Sequence, residues 1–369
     1  MLKTNKILTG TGFESTAHAK LQQLLMTIPF LSMSSSASEP PPIAKGLRPD
    51  FVLSLFANGE PWQLIVECKS DGQPRHIRSA ALQVKDYVRQ IANAHTYPMV
   101  MAPFISPASA EICKEAGVGF ADLAGNCHIA FDRVFIDRSV AENPYRKRRV
   151  QRSIFSPKSA RILRLLLADP ASVWRVAQLA EQAQVSLGQV SNLRRRLLDE
   201  EWAALEKEGL RIAKPRELLH AWRQAYRPEP LRSQSFYTLL HGEALDSAVR
   251  AALAEAGQGE HALLFSYSAG RWLAPYARVA SLYLYADAKG EGVLRKRLQL
   301  EPPGRGANVS LVHPKDDGVF LDRLEAADGL WCTSPIQTYL DLAVSGERGA
   351  EAAEHLFNER IAPRWKSTQ

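Results

Sequence analysis

The sequence predicts an α/β multidomain protein, and three observations divide it. The first third alternates apolar runs of strand length with polar helical stretches. The middle holds three closely spaced helices followed by a short alternating hairpin, and strands and helices mix again from Pro215 onward. The expected boundaries are 1–142, 143–215 and 216–369. At 369 residues the chain has room for two or three domains, each with its own core. Its 46% hydrophobic and 23% charged content is ordinary for a soluble globular protein.

The elements follow in order. A helix is expected from Glu14 to Met26, then a Ser- and Pro-rich loop over residues 34–42. Asp50 opens a strand, Phe51 to Leu55, and Asn58-Gly59 turns the chain into a second strand, Trp62 to Val66. Residues two apart on a strand share a face, so Glu67 and Lys69 project together while Cys68 points away. Pairing the strands brings the Asp50 carboxylate beside Glu67. Two hard carboxylate oxygens can hold Mg²⁺, which lowers the pKa of a bound water. A nearby lysine can steady that water or neutralise phosphate charge. Asp50 and Glu67 are therefore the candidate metal ligands. The plain alternative is that Glu67 and Lys69 form a charge pair at a strand end.

A polar helix is expected from Arg78 to Ala94, with Gln83 and Tyr87 four apart on one face. The order Pro49-Asp50, Glu67-Cys68-Lys69, then a helix carrying Gln-x-x-x-Tyr resembles the PD-(D/E)xK nuclease superfamily, notably its RecB-like branch. That resemblance covers roughly the first third of the chain. It implies a restriction-endonuclease-like mixed-sheet sandwich, a Mg²⁺ cofactor, and a catalytic set of Asp50, Glu67, Lys69, Gln83 and Tyr87. Glu14 matches the additional acidic residue that many members carry on their first helix. The domain continues with a strand from Tyr97 to Ile105 and a helix from Ala108 to Ala116, capped by Ser106 and ended by Gly117. A strand from Phe120, a Gly125-Asn126 turn, a strand from Cys127 to Phe131 and a last strand from Val134 to Asp137 complete it.

Net charge is +7 with a pI near 9.2, which favours polyanionic partners. The basic run Arg146, Lys147, Arg148, Arg149 reads either as a solvated linker or as an arm gripping phosphates, and its place between two candidate DNA modules favours contact. Cys68, Cys113, Cys127 and Cys332 lack metal-ligand spacing and fit reduced thiols. The apolar stretch Leu21 to Met33 is interrupted by Gln22, Gln23 and Pro29 and is too short to span a bilayer, so a cytoplasmic protein without membrane contact is expected.

The middle module has helices at Ser159 to Leu167, Val173 to Gln182 and Gln189 to Trp202, with Val185 to Gly188 as a tight turn. Val190, Leu193 and Leu197 stripe one side of the third helix; Gln189, Asn192, Arg195 and Arg196 fall on the other. Leu205 to Ile212 makes a hairpin around Gly209. The sum looks like a winged helix-turn-helix, whose third helix would enter the major groove, where Asn pairs with adenine and Arg with guanine. A three-helix bundle with a solvated basic face is the alternative.

In the last third, helices are expected at Glu217 to Tyr226, Glu243 to Ala256 and Gly349 to Ile361. Strands are expected at Phe236 to Leu240, Ala262 to Gly270, Val279 to Ala286 and Val309 to Val312. A strand from Gly329 passes through Ser334, which caps a helix beginning at Pro335. Ser266 and Ser268 lack the G-x-S-x-G elbow, and His241, His261 and His313 are dispersed without ligand spacing. The Tyr and Trp residues read as core, and the domain as a partner-binding module. The segments Phe265 to Tyr276 and Leu330 to Leu342, with Gly119 to Asn126, resemble the AbiEi family of type IV toxin–antitoxin antitoxins. The resemblance implies a transcriptional repressor of a two-gene operon whose partner is a nucleotidyltransferase-like toxin. Unlike shorter members, this chain carries its winged helix in the middle, after a nuclease-like domain. Three roles stay open: a DNA-binding regulator, a Mg²⁺-dependent DNase aimed by the winged helix in phage defence, and a non-enzymatic antitoxin binding its toxin through the last domain. The expected partners are double-stranded DNA, the toxin, and a second copy of the chain in a homodimer.

Overall fold

The computed structural model describes residues 11–34, 48–91, 93–140, 144–145, 154–228, 230–276, 280–304 and 306–366. The basic run Arg146 to Arg149 and most of the loop at 34–42 lie outside the described residues. The chain forms two compact units, Met1–Lys147 with Asp199–Glu201, and Arg148–Leu198 with Trp202–Gln369. The middle and last sequence regions thus share one unit.

The first unit is a seven-stranded mixed sheet whose spatial order follows the chain: β1 (Leu31–Met33), β2 (Phe51–Ala57), β3 (Glu60–Cys68), β4 (Thr96–Ala102), β5 (Gly119–Asp122), β6 (Cys127–Phe131) and β7 (Val134–Arg138). Asn58 and Gly59 turn β2 into β3 with φ of 50° and 88°, the left-handed pair that a two-residue hairpin requires. β3, β4 and β5 run parallel, and parallel neighbours need crossovers. These are helices α2 (Pro74–Ile91) and α3 (Pro107–Glu115). Both pack on one face through Ile77, Val84 and Ile112 against Ile65, Val100 and Phe120. Helix α1 (Thr11–Leu25) covers the other face, setting Phe13, Leu21 and Leu25 against Leu53, Leu64 and Met99. Strand β4 is buried on both sides, which is why it reads as a continuous apolar run. The parallel strands end at a common edge, the usual place for a ligand in such sheets. Glu67 lies at that edge.

The second unit begins with α4 (Pro157–Ala168), α5 (Val176–Gln182) and α6 (Leu187–Asp199), then a hairpin of β8 (Ala203–Glu206) and β9 (Gly209–Ile212). Trp174 adds a one-residue third strand, exchanging backbone hydrogen bonds of 2.8 and 2.9 Å with Leu210. A Cβ on Gly209 would lie 2.3 Å from the Trp174 carbonyl oxygen, so only glycine fits there. The third helix starts two residues earlier than its apolar pattern suggests. Ser186 Oγ accepts the Gln189 amide at 3.2 Å, and Leu187 and Gly188 belong to the first turn rather than to a tight turn before it.

Helix α7 (Pro215–Ala225) leads into a six-stranded sheet ordered β10 (Pro230–Phe236), β13 (Val309–Pro314), β12 (Leu282–Ala286), β11 (Ala262–Leu264), β15 (Leu330–Cys332) and β14 (Leu324–Ala327). Helices α8 (Gly242–Glu255), α9 (Ser266–Leu273), α10 (Ala288–Arg297), α11 (Pro335–Ala343) and α12 (Glu347–Leu356) surround it. Two strand expectations are corrected. The Phe236 to Leu240 segment is only the end of β10, and Leu239 is exposed. The run from Ala262 to Gly270 is strand only to Leu264, then helix, because a short apolar run does not itself distinguish a strand from a buried helical turn. Gly270 lies on that helix where a Cβ would sit 3.4 Å from Leu342. Helix α10 was invisible in the sequence because Gly290 and Gly292 disfavour helix. Gly290 is required where it stands: a Cβ would come within 1.9 Å of the His261 carbonyl oxygen. One continuous apolar core joins the three helices, the hairpin and this sheet.

Candidate functional site

In the first unit, the register Phe51↔Val66 sets position 50 opposite Glu67. Asp50 Oδ2 accepts the backbone N–H of Cys68 at 2.6 Å, which ties the carboxylate to the end of β3. Glu67 is 4% exposed. Its Oε1 accepts from Lys69 Nζ at 2.8 Å, while Oε2 is buried with no hydrogen-bond partner. Burial pushes the Glu67 carboxyl above the usual carboxylate range, and the Asp50 and Glu14 carboxylates push the same way against Lys69. Glu14 is raised in turn by its own burial and by Asp50. Three acids therefore feel one another here with Lys69 as the cation among them.

Gln83 and Tyr87 hold the approach to this edge. Gln83 Nε2 donates to the Tyr87 hydroxyl at 2.5 Å, and that hydroxyl donates to the carbonyl of Arg48, two residues before Asp50, at 3.0 Å. Tyr87 is buried and Gln83 half-buried, and the pair braces the segment that carries Asp50. Among the described residues no group of three or more His, Cys, Asp or Glu is disposed to hold a metal. A site here would rest on Asp50 and Glu67 alone. That donor set, with the unpartnered Glu67 oxygen, fits Mg²⁺, which takes one or two protein carboxylates and keeps several waters.

In the second unit, α6 buries Val190, Leu193 and Leu197 and leaves Asn192 and Arg195 exposed. Arg195 donates to Asn192 Oδ1 at 2.8 Å, so the two are pre-oriented side by side. Gln189 is half-buried and donates its amide to Ser159 Oγ at 2.9 Å, fixing α6 against α4. Arg196 is half-buried. The hairpin tip carries Glu206, Lys207 and Glu208, with Glu206 paired to Arg211 at 2.9 Å.

Sequence reasoning missed a buried polar network in this unit. Arg164 on α4 is 3% exposed. Its guanidinium donates to both oxygens of Asp322 at 2.8 and 2.9 Å, to Gln337 Oε1 at 3.1 Å and to the Gly318 carbonyl at 2.6 Å. Gln337 then donates to Asp341 Oδ1 at 3.0 Å, which also accepts from Tyr226 at 2.7 Å and Tyr285 at 3.2 Å. Burial raises Asp341 to about 6. The signal available was an Arg inside the apolar pattern of α4 and an Asp inside that of α11.

The segment Gly119 to Asn126 has a structural role. Asp122 Oδ1 accepts from the amides of Gly125 and Asn126, and Oδ2 from Ile105 N and Asn126 Nδ2, all between 2.6 and 2.9 Å. All four cysteines are free thiols, and burial pushes Cys113 and Cys332 up to about 12, which makes them poor nucleophiles. Among the described residues no helix is long and apolar enough to cross a membrane.

Residues 211–362 match the family model described as a transcriptional regulator, AbiEi antitoxin, type IV toxin–antitoxin system. The match begins in β9 and takes in the six-stranded sheet and the helices around it, and leaves α4 to α6 and the first unit outside. No curated protein and no solved structure matches the chain.

Proposed function

We propose that this protein is a DNA-binding transcriptional regulator of the antitoxin kind, in which α4 to α6 and the β8–β9 hairpin act as a winged helix-turn-helix. The observation that carries the reading is the exposed face of α6, where Asn192 and Arg195 stand side by side, opposite the buried stripe of Val190, Leu193 and Leu197. Such a face suits the major groove, where these two side chain types read adenine and guanine. The match over residues 211–362 supports the regulator role and a toxin partner for the carboxy-terminal domain. The test is salt-dependent binding to the protein's own promoter. Arg195→Ala and Asn192→Ala are each expected to weaken it by about 1–3 kcal/mol; unchanged affinity in both would sink the reading. Co-purification with the product of the neighbouring gene tests the toxin contact, and neutralisation by residues 1–215 alone would count against it.

A second reading, a Mg²⁺-dependent DNase, is favoured by one observation: the buried, unpartnered oxygen of Glu67 opposite Asp50. Asp50 and Glu67 would hold the ion, which would supply a water of lowered pKa and charge for the phosphate. Lys69, released from Glu67, would face the phosphate, and Gln83 with Tyr87 would keep the Asp50 segment in place. Cleavage of duplex DNA with Mg²⁺ or Mn²⁺, lost in Asp50→Ala and Lys69→Ala, is the expected result. Cleavage that persists in both variants would mark a contaminant.

A further inference from the structure

The open face of α6 is a single stripe of Leu187, Gly188, Ser191, Asn192 and Arg195, all exposed. Their spacing of one, four, five and eight residues from Leu187 is that of one helix face. The stripe is not uniformly polar. Leu187, the first helical residue, is 58% exposed and has no place in the apolar core beneath the helix. Beside it Gly188 presents no side chain, and a Cβ there would meet nothing nearer than Ser186 Oγ at 4.0 Å. Gln189, the next residue, is turned inward to Ser159. The leading turn of the helix therefore offers an apolar knob next to a bare backbone position. The amide and guanidinium follow one and two turns later.

When a helix of this kind lies in the major groove, its amino-terminal residues reach the base edges. The apolar group displayed there is the C5-methyl of thymine. We propose that Leu187 reads a thymine methyl, in register with the purine contacts of Asn192 and Arg195. Gly188 allows the helix to approach closely enough for that contact. The inference rests on the DNA-binding reading above and names what the site recognises.

The test begins with a duplex selected from a random pool by the full-length protein. Each thymine is then replaced by uracil, which removes only the methyl group. One position, or its symmetry mate, should weaken wild-type binding about fourfold, the worth of one buried methyl. Leu187→Ala should bind the selected duplex and be indifferent to uracil at that same position, while Ser191→Ala keeps the full penalty. If wild type ignores every uracil, or Leu187→Ala keeps the penalty, the inference is overturned while DNA binding stands. If wild type selects no duplex, the DNA-binding reading itself fails and takes the inference with it.

Discussion

Glu67 in the first unit and Asp341 in the second are both carboxylates almost fully removed from water, and in each one oxygen lacks a partner. Their company differs. Asp341 is ringed by three neutral donors, Tyr226, Tyr285 and Gln337, with Arg164 behind Gln337. Glu67 faces two further acids, and its Lys69 partner is about one-quarter exposed. A buried acid surrounded by donors is a fastening. A buried acid beside other acids is a place where a cation is wanted, because each neighbour raises the cost of the charge that the other carries. Burial alone therefore does not mark a functional carboxylate; the sign of its neighbours does.

The largest expected effect comes from removing the cation behind Asp341. Arg164→Met should cost about 3–5 kcal/mol in denaturant unfolding, since it strands Asp322 and the Gly318 carbonyl without their buried partner. A loss under about 1 kcal/mol would show that the network is not a fastening. Next is the protonation of Asp341 itself. Its folded pKa, about 6, lies above the ordinary 3.8. Its contribution to stability is therefore fully present below about pH 4 and is lost as pH rises through 6. Asp341→Asn removes that dependence, so the stability of the variant relative to wild type should climb by up to about 3 kcal/mol between pH 4 and pH 7. A flat difference would mean that Asp341 does not titrate in this range.

The two sites also differ in how far they could be read beforehand. Asp50, Glu67 and Lys69 were legible because period-two alternation and the Asn58-Gly59 turn fix the register locally, within twenty residues of chain. The apolar stripe of α6 was legible for the same reason. The Asp341 network was not, because Arg164, Tyr226, Tyr285 and Gln337 come from four separated elements that only the tertiary packing joins. Gln189 was misjudged as facing outward because helical periodicity gives an angle but does not say that Ser159 waits beside it. The strand at Ala262 stopped early for a comparable reason: packing against Leu342 admits a helix at Ala269-Gly270 that local pattern does not announce.

The smaller effects bear on Glu67. With Mg²⁺ at ten times its dissociation constant, wild type should gain about 1.4 kcal/mol in thermal or denaturant unfolding, and Glu67→Gln should gain nothing. An equal gain in Glu67→Gln would place the ion elsewhere. Smallest is Lys69→Met. Without metal it should destabilise by about 1 kcal/mol or less, because the ammonium is partly solvated and its pairing with Glu67 is weakened accordingly. Mg²⁺ should restore this loss, and the variant should gain more from the ion than wild type does, because ion and ammonium offset the same buried Glu67 charge. If Mg²⁺ leaves the deficit of Lys69→Met in place, Lys69 is a dedicated partner, Glu67 is fastened as Asp341 is, and the contrast between the two carboxylates disappears.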